Sequence, residues 1–345
     1  MADAKICGRF APSPSGRMHL GNIFCALLAW LSARAQNGSM LLRIEDLDTS
    51  RCTEEKARLL MDDLLWLGLD WDNGAFPGKA PDEFYQSRRS GIYKEFFEKL
   101  AAQNLIYPCF CSRAELHAAS APHTSDGQFI YPGTCRNLTE DESRSKMQSH
   151  KHSWRIKVPD ETITFNDRHY GRQSLNLARE WGDFIVRRSD GIYAYQLAVV
   201  IDDALMGVTE VIRGRDLLSS SAPQLYLYRL LGFKPPQFGH LPLLTAPDGR
   251  RLKEIMVELI RNRTIDIATL KKERREYIQE QPDGFQLNEM ILKLVEEQPE
   301  NNDITSIEVE RLENEEAITF SEIKDEENRR KTIRCSNVLI RIFRK

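Results

Sequence analysis

No stretch of this chain is apolar for long enough to cross a membrane as a helix. The opening Met1-Ala-Asp-Ala-Lys5 also lacks the basic-then-apolar pattern of a secretory leader. These absences lead to the expectation of a cytoplasmic protein with no membrane partner. A dominant charge is missing as well, since forty-eight Lys/Arg stand against fifty-one Asp/Glu for a net charge of −3. That balance excludes a chain that coats nucleic acid by bulk charge, so any RNA contact must be a local patch. The seven cysteines form no even set, and their scattered contexts suit reduced thiols or metal ligands better than a disulfide framework. At 345 residues there is room for two domains and an appendage.

What is present begins with Gly8-Arg-Phe-Ala-Pro-Ser-Pro-Ser-Gly-Arg-Met-His-Leu-Gly-Asn22. A short strand runs into a Pro/Gly turn and then into an apolar helix over Leu20 to Ala35. A helix N-terminus at a strand's carboxyl end gathers unpaired N–H groups and a positive dipole, and His19 adds an imidazole there, so the turn can hold an anion. The run Ser39-Met-Leu-Leu-Arg-Ile-Glu-Asp-Leu-Asp48 reads as a buried parallel strand that delivers acids to the same edge. Asp48 could instead cap the helix expected over Thr53 to Leu67. A second helix is expected from about Asp82 to Asn104, and a right-handed β-α-β crossover accommodates these elements.

Tyr107-Pro-Cys-Phe-Cys111 and Tyr131-Pro-Gly-Thr-Cys135 place three thiols around a turn, one ligand short of a tetrahedral structural zinc site. His117 and His123 are chemically natural as the fourth. From Glu140 to Asn176 the mixture of Ser, Arg, Lys and His with few aliphatics reads as an exposed, partly basic insert, either solvated or facing RNA. Strand signals return at Gly182 to Arg188. Asp190-Gly191 reads as a hairpin turn into a further strand, Ile192 to Val200, which Asp202 and Asp203 close. After a strand at Gly207 to Ile212, Arg213-Gly-Arg-Asp-Leu217 meets a serine-rich helix start, a second place where an anion can be gathered. Arg213 could alternatively be an ion-pair partner of Asp202 or Asp203.

The string Arg-Phe-Ala-Pro-Ser-Pro-Ser-Gly-x-x-His-Leu-Gly-Asn closely resembles the signature of class I glutamyl-type aminoacyl-tRNA synthetases. So do Arg43-Ile-Glu-Asp-x-Asp48, Gln86-Ser-Arg88 with Tyr93, Tyr195-Gln-Leu-Ala with Asp202-Asp203, and Arg213-Gly-x-Asp-Leu217, in the family's order. The resemblance implies an α/β fold, a Rossmann-like doubly wound parallel sheet carrying a zinc-binding insert and a mainly helical or disordered C-terminal tail. It implies ATP bound with Mg²⁺ by Pro12, His19, Gly21, Asn22 and Lys253, and L-glutamate bound by Arg9, Ser13, Glu45, Tyr195 and Arg213. Glu45 would hold the amino group of the amino acid. His19 and Lys253 would be the catalytic residues, offsetting charge on the phosphates. Cys-x-Cys followed by Tyr-x-x-x-Cys is similar to the zinc site of the glutamyl-queuosine tRNA(Asp) synthetase branch. By that similarity the ligands of a structural Zn²⁺ are Cys109, Cys111, Tyr131 and Cys135, and the acceptor is tRNA(Asp) carrying queuosine.

Two features depart from the family pattern. Its Lys-Leu-Ser-Lys loop appears here as Arg251-Leu-Lys253 after the Asp248-Gly249 turn, with the serine missing. This puts competence in question, because Arg presents a different donor geometry and a lost residue can displace the lysine. Beyond Ile255 the resemblance stops. Residues 255–345 hold sixteen Lys/Arg and twenty Asp/Glu, and helices are expected near Met256 to Gln279 and Leu287 to Glu297. A solvated run then extends through Arg330, followed by a short basic-apolar end. The expected division is thus 1–106 and 181–254 for the two halves of the catalytic domain, 107–180 for the metal-binding and acceptor insert, and 255–345 for the charged tail, in a monomer. Two alternatives stand beside the modifying enzyme: a truncated synthetase charging a tRNA 3′ end, and a non-catalytic paralogue that binds tRNA or nucleotide.

Overall fold

The computed structural model describes residues 5–16, 18, 20–80, 82–112, 115 and 130–243, together with 304–311, 323–324, 330–335 and 338–344. In chain order the first part contains β1 (Cys7–Phe10), α1 (Leu20–Ala35), β2 (Ser39–Leu42), α2 (Glu54–Trp66), β3 (Asn73–Gly74) and α3 (Ser90–Ala102). It continues with β4 (Ile106–Cys109), α4 (Glu140–Ser149), β5 (Ser153–Ile156), β6 (Thr162–Asp167), β7 (Gly171–Asn176) and β8 (Phe184–Arg187). The elements α5 (Tyr195–Leu205), β9 (Glu210–Gly214), α6 (Ser221–Leu230) and β10 (Gln237–Leu241) complete it.

Five strands form one sheet in the order β10-β9-β1-β2-β3, with every pairing parallel. The chain starts in the middle strand, moves to one edge through β2 and β3, and returns to the other side through β9 and β10. This is the doubly wound arrangement, and the switch point beside β1 is where such sheets bind ligands. A buried β2 follows from Met40, Leu41 and Leu42, all nearly inaccessible. Gly8 on β1 lies so close to α1 that a Cβ there would sit 3.0 Å from the Ala33 side chain. Small residues at both positions bring that helix down onto the sheet.

A separate three-stranded antiparallel sheet, β4-β5-β8, and the β6-β7 hairpin make up the insert. Here the structure departs from the expected exposed segment. Helix α4 buries no side chain, but Arg155, Ile156, Val158 and Asp167 are all buried. The strand expected over Ile192 to Val200 is also corrected. Tyr193 makes an isolated bridge to Arg187, and from Tyr195 the chain is helical with Leu197 through Asp203 buried. An apolar run flanked by turn signals reads alike for a buried strand and a buried helix, because both are enclosed on every side.

Residues 242–345 form a second compact unit. Its described residues include β11 (Ile304–Arg311), β12 (Ile323–Lys324), β13 (Arg330–Cys335) and β14 (Val338–Arg344), an antiparallel sheet ordered β11-β14-β13-β12. Part of the run expected to be solvated is therefore strand. Averaged composition hid it, since Ile304-Thr-Ser-Ile-Glu-Val-Glu-Arg311 mixes charges with residues of high β-propensity. The helices expected near Met256 to Gln279 and Leu287 to Glu297 lie outside the described residues.

Candidate active site and metal cluster

Arg9 on β1, Glu45 just beyond β2 and Arg213 on β9 come from three adjacent parallel strands and reach the carboxyl edge, all three buried. Backbone hydrogen bonds hold the approach: Arg43 N–H donates to the Phe10 carbonyl at 3.0 Å and Glu45 N–H to the Pro12 carbonyl at 3.0 Å. Pro12, alongside the end of the second strand, is buried, whereas Ser13 in the same turn is exposed. Gly21 and Asn22 occupy the first turn of α1 and are half-buried. His19 and Lys253 lie outside the described residues, as do His117 and His123.

Beneath these groups runs a buried ion network that the sequence reading did not assign. Arg43 is fully buried and its guanidinium meets Glu45 Oε1 at 3.1 Å and Asp203 Oδ1 at 2.7 Å. Asp202 accepts from Arg89 Nε at 2.7 Å, Gln86 Nε2 at 2.8 Å and the Tyr93 hydroxyl at 2.8 Å. Gln86 and Tyr93, family-like in sequence, thus serve to anchor an acid on α5. Arg9 Nε lies 3.5 Å from Asp203 Oδ1. Burial raises the Glu45 carboxyl pKa, against the pull of Arg43 and Arg9. Asp48, the alternative helix cap, instead accepts from the Ser50 hydroxyl, and Thr53 caps α2.

Arg213 is not paired with Asp202 or Asp203. Its Nε–H donates to His240 Nε2 at 2.9 Å, and its Nη2 to the Ser221 hydroxyl at 2.9 Å and the Leu217 carbonyl at 3.2 Å. Nη1 is buried with no hydrogen-bond partner among the described residues. Desolvation lowers the Arg213 pKa, and nearby Arg9 adds to it. Such a guanidinium is short of an anion. Tyr195 opens α5, where burial pushes its phenol up while Arg213 pulls it back.

In the insert, the sulfurs of Cys109, Cys111 and Cys135 all lie within 4.8 Å of one another. Cys111 Sγ and Cys135 Sγ are 3.6 Å apart, and the Tyr131 oxygen is 3.4 Å from Cys109 Sγ and 3.8 Å from Cys111 Sγ. Tetrahedral zinc, with Zn–S near 2.3 Å and Zn–O near 2.0 Å, spaces its sulfurs about 3.8 Å apart and sets oxygen about 3.5 Å from sulfur. The four donors fit that shape. Tyr131 is oriented by the Cys135 N–H, which donates to its oxygen at 2.8 Å, and by the Arg155 guanidinium over its ring at 3.8 Å. Burial works to raise the Cys109 thiol, but the Tyr131 hydroxyl and Arg155 outweigh it and leave the thiol below its ordinary pKa. A thiol so placed is prepared to ligate as thiolate.

Residues 5–263 match the model of the family described as tRNA synthetases class I (E and Q), catalytic domain. The chain belongs to that family. Among similar proteins of the class I synthetases, a glutamyl-Q tRNA(Asp) synthetase of Symbiobacterium thermophilum is 53% identical over 251 residues, covering 72% of this chain and 77% of the relative. A protein of the same name from Nitratidesulfovibrio vulgaris is 46% identical, covering 77% of this chain and 84% of the relative. A crystal structure of a glutamate tRNA ligase from Elizabethkingia meningosepticum, in complex with its amino acid, superposes with a TM-score of 0.63 at 32% identity over 73% of this chain. The chain spans about half of that ligase, 52% of its length. The parallel central sheet is thus that of a class I synthetase catalytic domain, and the chain is a ligase-type enzyme by family.

Two residues in this candidate site were not singled out from sequence, Asp167 and His240, which stand behind Arg213. His240 stands in the string His240-Leu-Pro-Leu-Leu244, whereas Asp167 carries no local signal inside a polar hairpin.

Proposed function

We propose that this enzyme activates L-glutamate with ATP, without tRNA, to glutamyl-adenylate, and transfers glutamate to the queuosine base at the wobble position of tRNA(Asp). The carrying observation is Nη1 of Arg213, a buried nitrogen near Tyr195 at the switch point whose two N–H groups have no hydrogen-bond partner among the described residues. It suits the side-chain carboxylate of glutamate, while Glu45 suits the amino group. Arg9 and Ser13 would complete the amino-acid site. Pro12, His19, Gly21, Asn22 and Lys253 would take ATP, and Mg²⁺ bound with ATP would neutralise phosphate charge. The substrate's α-carboxylate attacks the α-phosphorus and pyrophosphate leaves, so the protein contributes position and charge rather than a nucleophile. The second substrate is supported by the relatives named glutamyl-Q tRNA(Asp) synthetase. Zn²⁺ held by Cys109, Cys111, Tyr131 and Cys135 would be structural, its four positions filled by protein. We place the enzyme in the cytoplasm as a monomer; among the described residues no helix is long and apolar enough to cross a membrane.

A second reading is favoured by one observation. A glutamate–tRNA ligase of Sulfurihydrogenibium is 42% identical over 71% of this chain, although this covers just 52% of that ligase. Incubation with ATP, labelled glutamate and tRNA(Asp), with and without queuosine, beside tRNA(Glu), separates the two. Label on queuosine-containing tRNA(Asp) alone is expected. Label on tRNA(Glu) supports a truncated charging enzyme. Label on neither, with no glutamate-dependent pyrophosphate exchange, supports a binding paralogue and would point to the Arg251-Leu252-Lys253 loop.

A further inference from the structure

Arg213 has five N–H groups, and three are spent holding it. Nε–H goes to His240 Nε2, and both hydrogens of Nη2 go to Ser221 Oγ and the Leu217 carbonyl. The Nε bond requires a lone pair on His240 Nε2, and an imidazole has one there only when its proton sits on Nδ1. Asp167 dictates that choice. Its Oδ2 lies 2.6 Å from His240 Nδ1, and its Oδ1 accepts backbone N–H groups from His169 at 3.0 Å, Tyr170 at 3.0 Å and His240 at 3.2 Å. With Oδ1 committed to three donors, Oδ2 is free to take the Nδ1 proton. All of this is out of water: His240 is 0% exposed, and Asp167 and Arg213 are 4% each.

We propose that Asp167 and His240 are positioning residues that set the amino-acid specificity of Arg213, by fixing the imidazole tautomer that aims the guanidinium's remaining N–H pair into the pocket. This rests on the reading of Arg213 as the partner of the substrate's side-chain carboxylate. The device explains why a buried arginine can be rigid without a salt bridge: a neutral acceptor orients it and leaves its positive charge for the ligand. A carboxylate at the position of His240 would neutralise Arg213 and weaken its hold on an anion. Among the described residues, the charged and titratable groups around the imidazole are Asp167 from β6 and Arg213 from β9, and the Leu217 carbonyl also lies against the ring. Ser221 from α6 faces it with a hydroxyl 3.5 Å away. Arg168, next to Asp167 in sequence, is paired with Glu210 instead.

Asp167→Asn tests the tautomer directly. The three backbone N–H groups keep the amide oxygen at the Oδ1 position, so the NH₂ must face His240 Nδ1. The imidazole proton is then driven to Nε2, donor against donor with Arg213 Nε–H. In glutamate-dependent pyrophosphate exchange on the full chain, the expected result is a KM for glutamate raised tenfold or more, with KM for ATP within about twofold of the unchanged enzyme. The ¹⁵N shifts of the His240 ring should move from the Nδ1–H to the Nε2–H tautomer. His240→Gln, whose side-chain oxygen can still accept from Arg213, should keep a lower glutamate KM than His240→Leu, and this pair decides the matter if Asp167→Asn does not fold. Arg213→Gln is the control for the underlying reading. If it leaves the glutamate KM unchanged, the assignment of Arg213 fails. If it raises that KM while Asp167→Asn leaves both KM and tautomer as they were, or His240→Gln and His240→Leu are equal, this inference alone is overturned. A rise of both KM values together with a lowered melting temperature would make Asp167 merely structural, and would also overturn it.

Discussion

At the residue scale, two of the buried arginines, Arg43 and Arg213, are handled by opposite chemistry. Arg43 is surrounded by Glu45, Asp202 and Asp203, so its charge is consumed by the protein. Arg213 is held by uncharged acceptors, and its charge remains available. Arg43→Met should therefore leave buried carboxylates unpaired and cost about 3–5 kcal/mol of stability, read as a lowered urea midpoint. His240 carries the pH consequence. Burial in first place, with Arg213 adding to it, lowers its pKa below the ordinary value and outweighs Asp167, so the native ring stays neutral after the unfolded ring, near 6.5, has begun to bind a proton. The unfolded state then holds more protons. Stability is accordingly flat above about pH 6.5 and falls as the pH drops below it, by up to about 1.4 kcal/mol per unit. The urea midpoint of the unchanged protein should decline between pH 7 and 5.5 more steeply than that of His240→Gln, and equal slopes would refute this.

At the element scale, the site depends on α5 more than its sequence suggested. That helix begins with Tyr195 near Arg213 and carries Asp202 and Asp203 in the ion network toward its other end, so one rigid rod ties the proposed amino-acid site to Arg43 and Arg89. The connection between the insert and its own sheet is tighter still. Gly182, with φ +76°, bridges Tyr131, and a Cβ there would lie 3.1 Å from the Tyr131 carbonyl oxygen and 3.2 Å from its nitrogen. Gly182→Ala meets both a left-handed backbone and a backbone neighbour that cannot rotate away. It should cost roughly 1–3 kcal/mol and loosen the metal ligand. Zinc retained in full during dialysis against a weak chelator, with an unchanged melting temperature, would show that the loop tolerates the shift.

At the scale of the whole molecule, the cysteine cluster and the parallel sheet are separate constructions with separate sensitivities. Zinc should bind at about one equivalent per chain. Its removal by a strong chelator should lower the melting temperature while leaving the KM for glutamate nearly unchanged, because the cluster shares no residue with the pocket. Tyr131→Phe and Cys135→Ser should each reduce zinc content in metal analysis of the purified protein. A metal content unaffected by either would discard the proposed ligand set.

Much of this architecture was legible along the chain because it is local. Pro12, Pro14 and Gly16 must break a strand, Leu20 to Ala35 has helical spacing, and acids at the end of an apolar run must lie at a sheet edge; the resemblance to a synthetase family followed from such contiguous strings. The clustering of Cys109, Cys111 and Cys135 was legible in the same way, since the three thiols lie near one another in sequence. What the tertiary structure alone decided is non-local. Whether Ile192 to Val200 is strand or helix depends on enclosure from all sides, which apolar composition does not resolve. Whether Arg213 pairs with Asp202 or Asp203 depends on Arg43 and Arg89 reaching those acids first, from positions more than a hundred residues away. And an aspartate in a polar hairpin becomes the residue that sets a histidine's proton only because β6 and β10 bring Asp167 and His240 to 2.6 Å, a proximity made by folding and written nowhere in either neighbourhood.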